Sequence, residues 1–312
     1  MIYRNLGRAG VKVSVICMGT AQLVEPTPWE DSIDLVRAAL DAGVNFFDTA
    51  NIYGDSDTRD RSERVLGEAL RGRRDETVIA TKFRGRVGPG PNDSGTSRYH
   101  IMRQIERSLQ RLETDRIDLY QTHGPDPDTP IEETLRAMDD LVRQGKVLYT
   151  GMSNSPGWHL AEAMWTCDRL GLEAIVSEQT QYSLVARGIE REVLPFARAH
   201  GIGVLAYSPI GGGLLTGKYR RGTPPPKGSR GDQSPGWFGG ITELQWQGIE
   251  VTVEAARETS ATAGHVALAW VLSQEGVSSA IVGPHTREQL EENLGALDVT
   301  LDATTMAALD GS

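Results

Sequence analysis

Cysteine is scarce: Cys17 and Cys167 are the two in 312 residues. They form neither a C-x-x-C pair nor a ladder of spacings. That excludes a disulfide scaffold and a cysteine-ligated metal centre, so no metal is expected, and it fits a reducing, cytoplasmic setting. Long apolar runs are also missing. No stretch approaches 18 consecutive apolar residues, which excludes a membrane-spanning helix, and the opening MIYRNLGRAGVKVSV has no apolar core of a secretory leader. Positive charge is in deficit, with 32 Lys and Arg against 42 Asp and Glu and a net charge of −10. Such a surface repels phosphate backbones, so nucleic acid is not an expected partner, and an anionic small molecule would need a locally basic pocket. No Pro/Ser/Gly linker divides the chain, so one domain over 1–312 is expected.

What is present is a rhythm. The first fifteen residues alternate around Gly7 and Gly10 and predict a short hairpin. Eight apolar, β-type runs follow: 15–18, 45–48, 78–82, 117–121, 147–152, 174–178, 203–207 and 280–282. Helical patterns separate them near 30–42, 63–71, 98–112, 130–144, 156–170, 189–200, 248–274 (broken near Gly264) and 286–296. Thr27-Pro28-Trp29-Glu30 and Thr129-Pro130-Ile131-Glu132 read as capping boxes with proline at the first helical position, Ser155-Pro156 follows the same logic, and Thr286 with Gln289 forms another candidate box. Gly43 and Gly201 suit left-handed positions after helices. Apolar strands alternating with helices imply a parallel sheet covered by helices. No G-x-G-x-x-G follows the first strand, against a dinucleotide-binding open sheet. Eight units favour a (β/α)8 barrel of the TIM type.

In such a barrel the active site forms where strands end. The second run ends Phe46-Phe47-Asp48 and leads to Tyr53, the third ends Thr81-Lys82, and the fourth ends Gln121-Thr122-His123. Singly, each of these four polar residues is more often a cap, a core tyrosine or a solvated charge. Gathered on one rim they form an acid–base site. Lys82 needs a partner if buried, and Asp48 is the candidate. A nearby ammonium is expected to lower the pKa of the Tyr53 phenol, which then donates a proton to a carbonyl oxygen, with His123 orienting that oxygen.

The motifs F-D-T-A-x-x-Y-G at 47–54, T-K at 81–82 and Q-T-H-x-P-D at 121–126 make the chain resemble the aldo-keto reductases, bacterial short-loop members and potassium-channel β subunits among them, over essentially its whole length. The resemblance implies Tyr53 as general acid, with Asp48, Lys82 and His123 completing a tetrad. It also implies a nicotinamide cofactor. Ser153, Asn154 and Gln179 correspond to residues gripping the carboxamide, Tyr207 to the ring stacked on the nicotinamide, and Gly19, Thr20, Ser208 and Pro209 to neighbouring strand-end contacts. Gly211, Leu214, Gly217 and Lys218 match a pyrophosphate loop, and Gly283, His285, Gln289, Glu292 and Asn293 match the adenosine end. Many relatives carry Arg or Lys where this chain has His285, so NADP(H) is expected with NAD(H) as the alternative, and Arg287 is a candidate substitute cation.

The segment 218–240 is rich in Pro and Gly and reads either as a lid or as a surface excursion. Trp237 within it, and Trp29 near the first strand, are candidate walls for the small-molecule carbonyl substrate. The basic residues Lys218, Arg220, Arg221, Lys227 and Arg230 read as a solvated run more readily than as a phosphate site. A cofactor-binding regulatory subunit with little turnover is the second reading. A non-redox barrel using Lys82 as a Schiff base is a distant third.

Overall fold

The structure, a computed structural model, describes residues 1–23, 27–54 and 60–311. An antiparallel hairpin, β1 (Tyr3–Asn5) and β2 (Lys12–Ser14), precedes eight strands: β3 (Ile16–Gly19), β4 (Phe46–Asp48), β5 (Val78–Phe83), β6 (Ile117–Thr122), β7 (Val147–Ser153), β8 (Ile175–Gln181), β9 (Gly203–Tyr207) and β10 (Val277–Val282). These eight pair in parallel and close into a barrel, β10 returning to β3 with Ile281 opposite Cys17. All eight expected strands are found. Around them run α1 (Trp29–Asp41), α2 (Arg61–Ala69), α3 (Arg98–Arg111), α4 (Ile131–Arg143), α5 (Gly157–Leu170), α6 (Val193–His200), the short α7 (Arg230–Gln233) and α8 (Pro235–Gly239), then α9 (Glu243–Glu258), α10 (Ala263–Ser273), α11 (Arg287–Gly295) and α12 (Ala303–Asp310).

Several local expectations are corrected. Helices α1, α4 and α5 begin one residue later than their Thr/Ser-Pro signals imply. Pro28, Pro130 and Pro156 sit at the N-cap itself, and none receives a side-chain cap. The Thr129 hydroxyl instead donates to Asp126 at 3.0 Å. At α11, Thr286 does accept from the Gln289 amide, but the Gln289 side chain reaches back to the His285 amide rather than to Thr286, so the box is half formed. A complete capping box occurs at Thr242 and Gln245, opening α9. The helical break falls at 259–262, where Ser260 takes φ +53°, and Gly264 lies inside α10. Gly43 and Gly201 adopt the left-handed conformation expected of them.

The period-2 geometry of strands decides what fills the barrel. Phe46, Ala80, Leu119 and Leu205 face inward and pack with Cys17, Ile281 and the hairpin residues Leu6 and Val13 into an apolar floor. Two residues further along the same strands stand Asp48, Lys82, Gln121 and Tyr207, so the same inward face turns polar at the rim. The hairpin seals the opposite end. A Cβ placed on Gly7 would fall 2.4 Å from the Val176 carbonyl and 2.5 Å from the Gly203 amide, an approach only glycine permits, at φ +54°. The hairpin is also stitched to the start of β10: the Arg4 guanidinium donates to the Val277 carbonyl at 2.9 Å, and the Gly7 amide to Ser278 Oγ at 3.2 Å. Two further apolar clusters join the barrel's outer face to the helices.

Candidate active site

The four strand-end residues expected to meet do meet. Lys82 is fully buried, and its Nζ donates to Asp48 Oδ2 at 2.6 Å, to the Thr49 carbonyl at 3.0 Å and to the Tyr53 hydroxyl at 3.3 Å. His123 Nε2 lies 3.4 Å from that hydroxyl, its ring edge-on to Tyr53. Asp48 is held on its other oxygen by the Gln179 amide at 2.7 Å and more loosely by Gln121 at 3.5 Å.

The electrostatics differ from expectation in one respect. Burial raises the Tyr53 pKa by more than Lys82 lowers it, so the net direction is upward from the usual phenol value. The sequence shows the neighbouring cation but not the desolvation. Burial also works against the Lys82 ammonium, yet Asp48 and Tyr53 outweigh it and leave its pKa above the ordinary lysine value. His123 is pulled down to about 3 by burial, then by the charges of Lys82 and Arg84, so its ring is neutral at pH 7.

Beside the tetrad, Asn154 follows β7 in the left-handed conformation at φ +55°. Its side chain donates to Ser153 Oγ at 3.0 Å and accepts from the Tyr207 hydroxyl at 2.9 Å, while its backbone amide donates to the Gln179 carbonyl at 2.8 Å. Ser153, Asn154, Gln179 and Tyr207 therefore form one connected patch. Arg84, Asn154 and Ser208 each follow a barrel strand with positive φ, a costly conformation for residues with a Cβ.

Gly211, Gly212, Gly213 and Gly217 all have positive φ. Buried Leu214 packs in the core below them, and buried Pro209 precedes them. Lys218 Nζ would lie 3.1 Å from a Cβ on Gly213. Thr20 is fully buried, and its hydroxyl donates to the Asp48 carbonyl at 3.0 Å and accepts from Ser62 Oγ at 2.6 Å. Gly19 is small for packing: a Cβ there would fall 2.7 Å from Ile281. Gly283 sits close to Gln22. His285, Gln289 and Glu292 are exposed and Asn293 half-buried at the start of α11, with Glu292 accepting from Thr262 Oγ1 at 2.6 Å.

Among the described residues neither Trp29 nor Trp237 makes a hydrogen bond or ring contact with the tetrad. Trp29 donates to Glu68 at 3.0 Å, stacks under the Arg61 guanidinium and packs against the outer helix cluster. Trp237 packs on Tyr219 and under Arg230, whose Nη1 would meet a Cβ on Gly212 at 2.7 Å, so this segment folds over the glycine loop. Segment 218–240 is thus a small aromatic cluster with two short helices rather than a bare excursion. Its Arg221 pairs with Glu243 and Glu250.

Sequence reasoning missed Glu178 and Arg84. Glu178, on β8, is fully buried; its Oε1 accepts from the Ser155 amide at 2.8 Å and its Oε2 has no partner among the described residues. Its position next to Gln179 was the available signal.

A parallel eight-stranded barrel with a buried carboxylate, ammonium, phenol and imidazole joined at its C-terminal rim defines a barrel protein with an acid–base centre. The family model of the Aldo/keto reductase family matches residues 15–312, and the chain belongs to that family. It is 39% identical to the uncharacterized oxidoreductase YrpG of Bacillus subtilis (strain 168), over 99% of this chain and 95% of the relative. It is 36% identical to a probable voltage-gated potassium channel subunit beta of Arabidopsis thaliana, over 96% and 92%. It is 31% identical to L-glyceraldehyde 3-phosphate reductase of Escherichia coli (strain K12), over 99% and 92%. The family and its oxidoreductase members support carbonyl reduction in general. Among the described residues no helix is long and apolar enough to cross a membrane.

Proposed function

We propose that this protein reduces an aldehyde or ketone to an alcohol, taking hydride from NADP(H), with NAD(H) as the alternative, and a proton from Tyr53. The observation that carries the reading is the Lys82 ammonium, buried and in contact with both Asp48 and the Tyr53 hydroxyl.

The residues present fit a nicotinamide dinucleotide. The Ser153–Asn154–Gln179 patch offers amide and hydroxyl groups matched to a carboxamide, and the Tyr207 ring stands beside it. The glycine loop at 211–217, with Lys218, presents backbone without side chains where a diphosphate needs close amide approach. Exposed Gln289 and Glu292, with His285 and Asn293, would receive the adenosine end. When bound, the cofactor supplies hydride.

The chain's own residues supply the rest. Tyr53 remains protonated at neutral pH, because burial holds its pKa up, and so is ready to donate. As the proton leaves, negative charge grows on the phenol oxygen 3.3 Å from Lys82, where the ammonium stabilises it. Neutral His123 orients the carbonyl oxygen against the Tyr53 hydroxyl. Asp48 keeps Lys82 charged and fixed, and Gln179 ties that carboxylate to the carboxamide patch. A positioned acid of this kind contributes about 10²–10⁴-fold to rate.

The test is NADPH and NADH oxidation across aldehydes, ketones and sugars, with Tyr53→Phe as the control. Turnover is expected to fall at least a hundredfold in Tyr53→Phe while cofactor Kd stays within about twofold. Equal turnover by the Phe variant overturns the assignment. The similarity to channel β subunits supports a second reading, a cofactor-binding regulatory subunit, which predicts tight cofactor binding and little aldehyde turnover.

A further inference from the structure

Arg84 is the residue the reaction leaves unexplained. It follows β5 directly, two positions beyond Lys82. Its carbonyl accepts from the Gly95 amide at 2.9 Å, and its φ is +97°, a conformation that favours glycine. Its guanidinium lies against Gly124, where an added Cβ would stand 3.9 Å from Cζ, and Gly124 adjoins His123. Its charge reaches His123, where it helps keep the ring neutral.

A guanidinium so placed would ordinarily have a carboxylate. Arg84 makes no ion pair among the described residues, and its Nε is buried with no hydrogen-bond partner. Asp48 belongs to Lys82. Asp126, two residues past Gly124, is satisfied by the Thr96 amide at 2.7 Å and the Thr129 hydroxyl at 3.0 Å. Among the described residues the Arg84 charge beside the tetrad is therefore uncompensated, in a chain of net charge −10. Leaving a partly buried guanidinium donor unsatisfied is costly, and a strained backbone maintains it there.

We propose that Arg84 anchors an oxyanion carried by the substrate, so that the preferred carbonyl compound bears a carboxylate or phosphate group close to its reacting carbon. The inference rests on the reductase reading and adds to it the class of substrate. A planar guanidinium suits either oxyanion through paired hydrogen bonds.

The full-length protein is assayed on two matched pairs of aldehydes: glyceraldehyde against glyceraldehyde 3-phosphate, and butanal against succinic semialdehyde. The charged member is expected to show kcat/KM about tenfold to a hundredfold higher, chiefly through KM. Arg84→Gln brings that ratio towards one, and Arg84→Lys retains part of it. Which pair shows the larger ratio distinguishes phosphate from carboxylate. Inorganic phosphate or succinate is expected to inhibit glyceraldehyde reduction competitively in the unaltered protein, a measurement independent of how the variants fold. Reduction of all four aldehydes without preference, a ratio unmoved in Arg84→Gln, or no inhibition by either anion overturns the proposal and leaves the reductase reading standing. Failure to reduce any aldehyde takes down both.

Discussion

Lys82 Nζ sits 2.6 Å from Asp48 Oδ2, and both side chains are almost completely removed from solvent, at 0% and 4% exposure. A buried pair of this kind is weak evidence for stability in itself, but breaking it leaves one charge stranded.

Lys82→Met is therefore expected to lose about 3–5 kcal/mol of unfolding free energy, because Asp48 stays buried without its counter-ion. The double variant Asp48→Asn with Lys82→Met recovers most of that loss, and neither protein reduces aldehydes at a useful rate. Urea unfolding of the two variants checks this, and a single variant as stable as the parent contradicts it.

The His123 pKa, lowered to about 3 from an ordinary value of 6.5, fixes a pH window. The folded ring binds no proton until about pH 3, whereas the unfolded chain binds one below about 6.5. Stability contributed by neutral His123 is therefore complete above pH 6.5 and declines as pH falls towards 3. Reduction, in contrast, is expected to stay level from about pH 6 to 9, since His123 remains neutral and the Tyr53 pKa lies above the ordinary phenol value. A rate inflection near pH 6.5 that disappears in His123→Asn refutes this.

Glu178 supplies an opposite sign. Burial pushes its carboxyl pKa well above the usual range, with the Ser155 amide only partly offsetting the effect. Stability from the protonated form is thus present at low pH and lost as pH rises through the folded pKa. Glu178→Gln retains an acceptor for Ser155 and removes the charge. It is expected to raise unfolding free energy at pH 8 by about 1–3 kcal/mol, with little gain at pH 4. Thermal melts at both pH values decide, and a variant less stable at pH 8 than the parent rules the account out.

At the start of α11, partial burial keeps the His285 pKa below its ordinary value, so the ring carries little charge at pH 7. His285→Arg is expected to tighten NADPH binding about tenfold more than NADH binding, through a charge-assisted contact to the extra phosphate. Fluorescence titrations of both cofactors measure it, and equal shifts for the two defeat it.

Much of this was legible in the sequence. The eight strands and the tetrad could be read because short continuous apolar runs alternate with helical patterns and the polar residues stand at their ends, as in Phe46 to Asp48 and Ala80 to Lys82. What escaped was set by burial and competition. Thr129 has the sequence signature of a cap, but Asp126 claims its hydroxyl. Lys82 in the sequence predicts a more acidic Tyr53, but enclosure outweighs the cation. Arg84 resembles any loop arginine until the structure shows it without a counter-ion among the described residues. The capping box at Thr242 and Gln245 stands in the sequence as a bare T-x-x-Q.

The stitching of residues 4 and 7 to residues 277 and 278, together with the pairing of β3 with β10, has a bearing on biosynthesis. The earliest strands leave the ribosome with one edge exposed and must wait for more than 250 further residues before their neighbour arrives. Until then the nascent chain is an open sheet with two sticky borders, so its yield in the cell should depend on chaperone capacity during translation rather than on the stability of the finished ring.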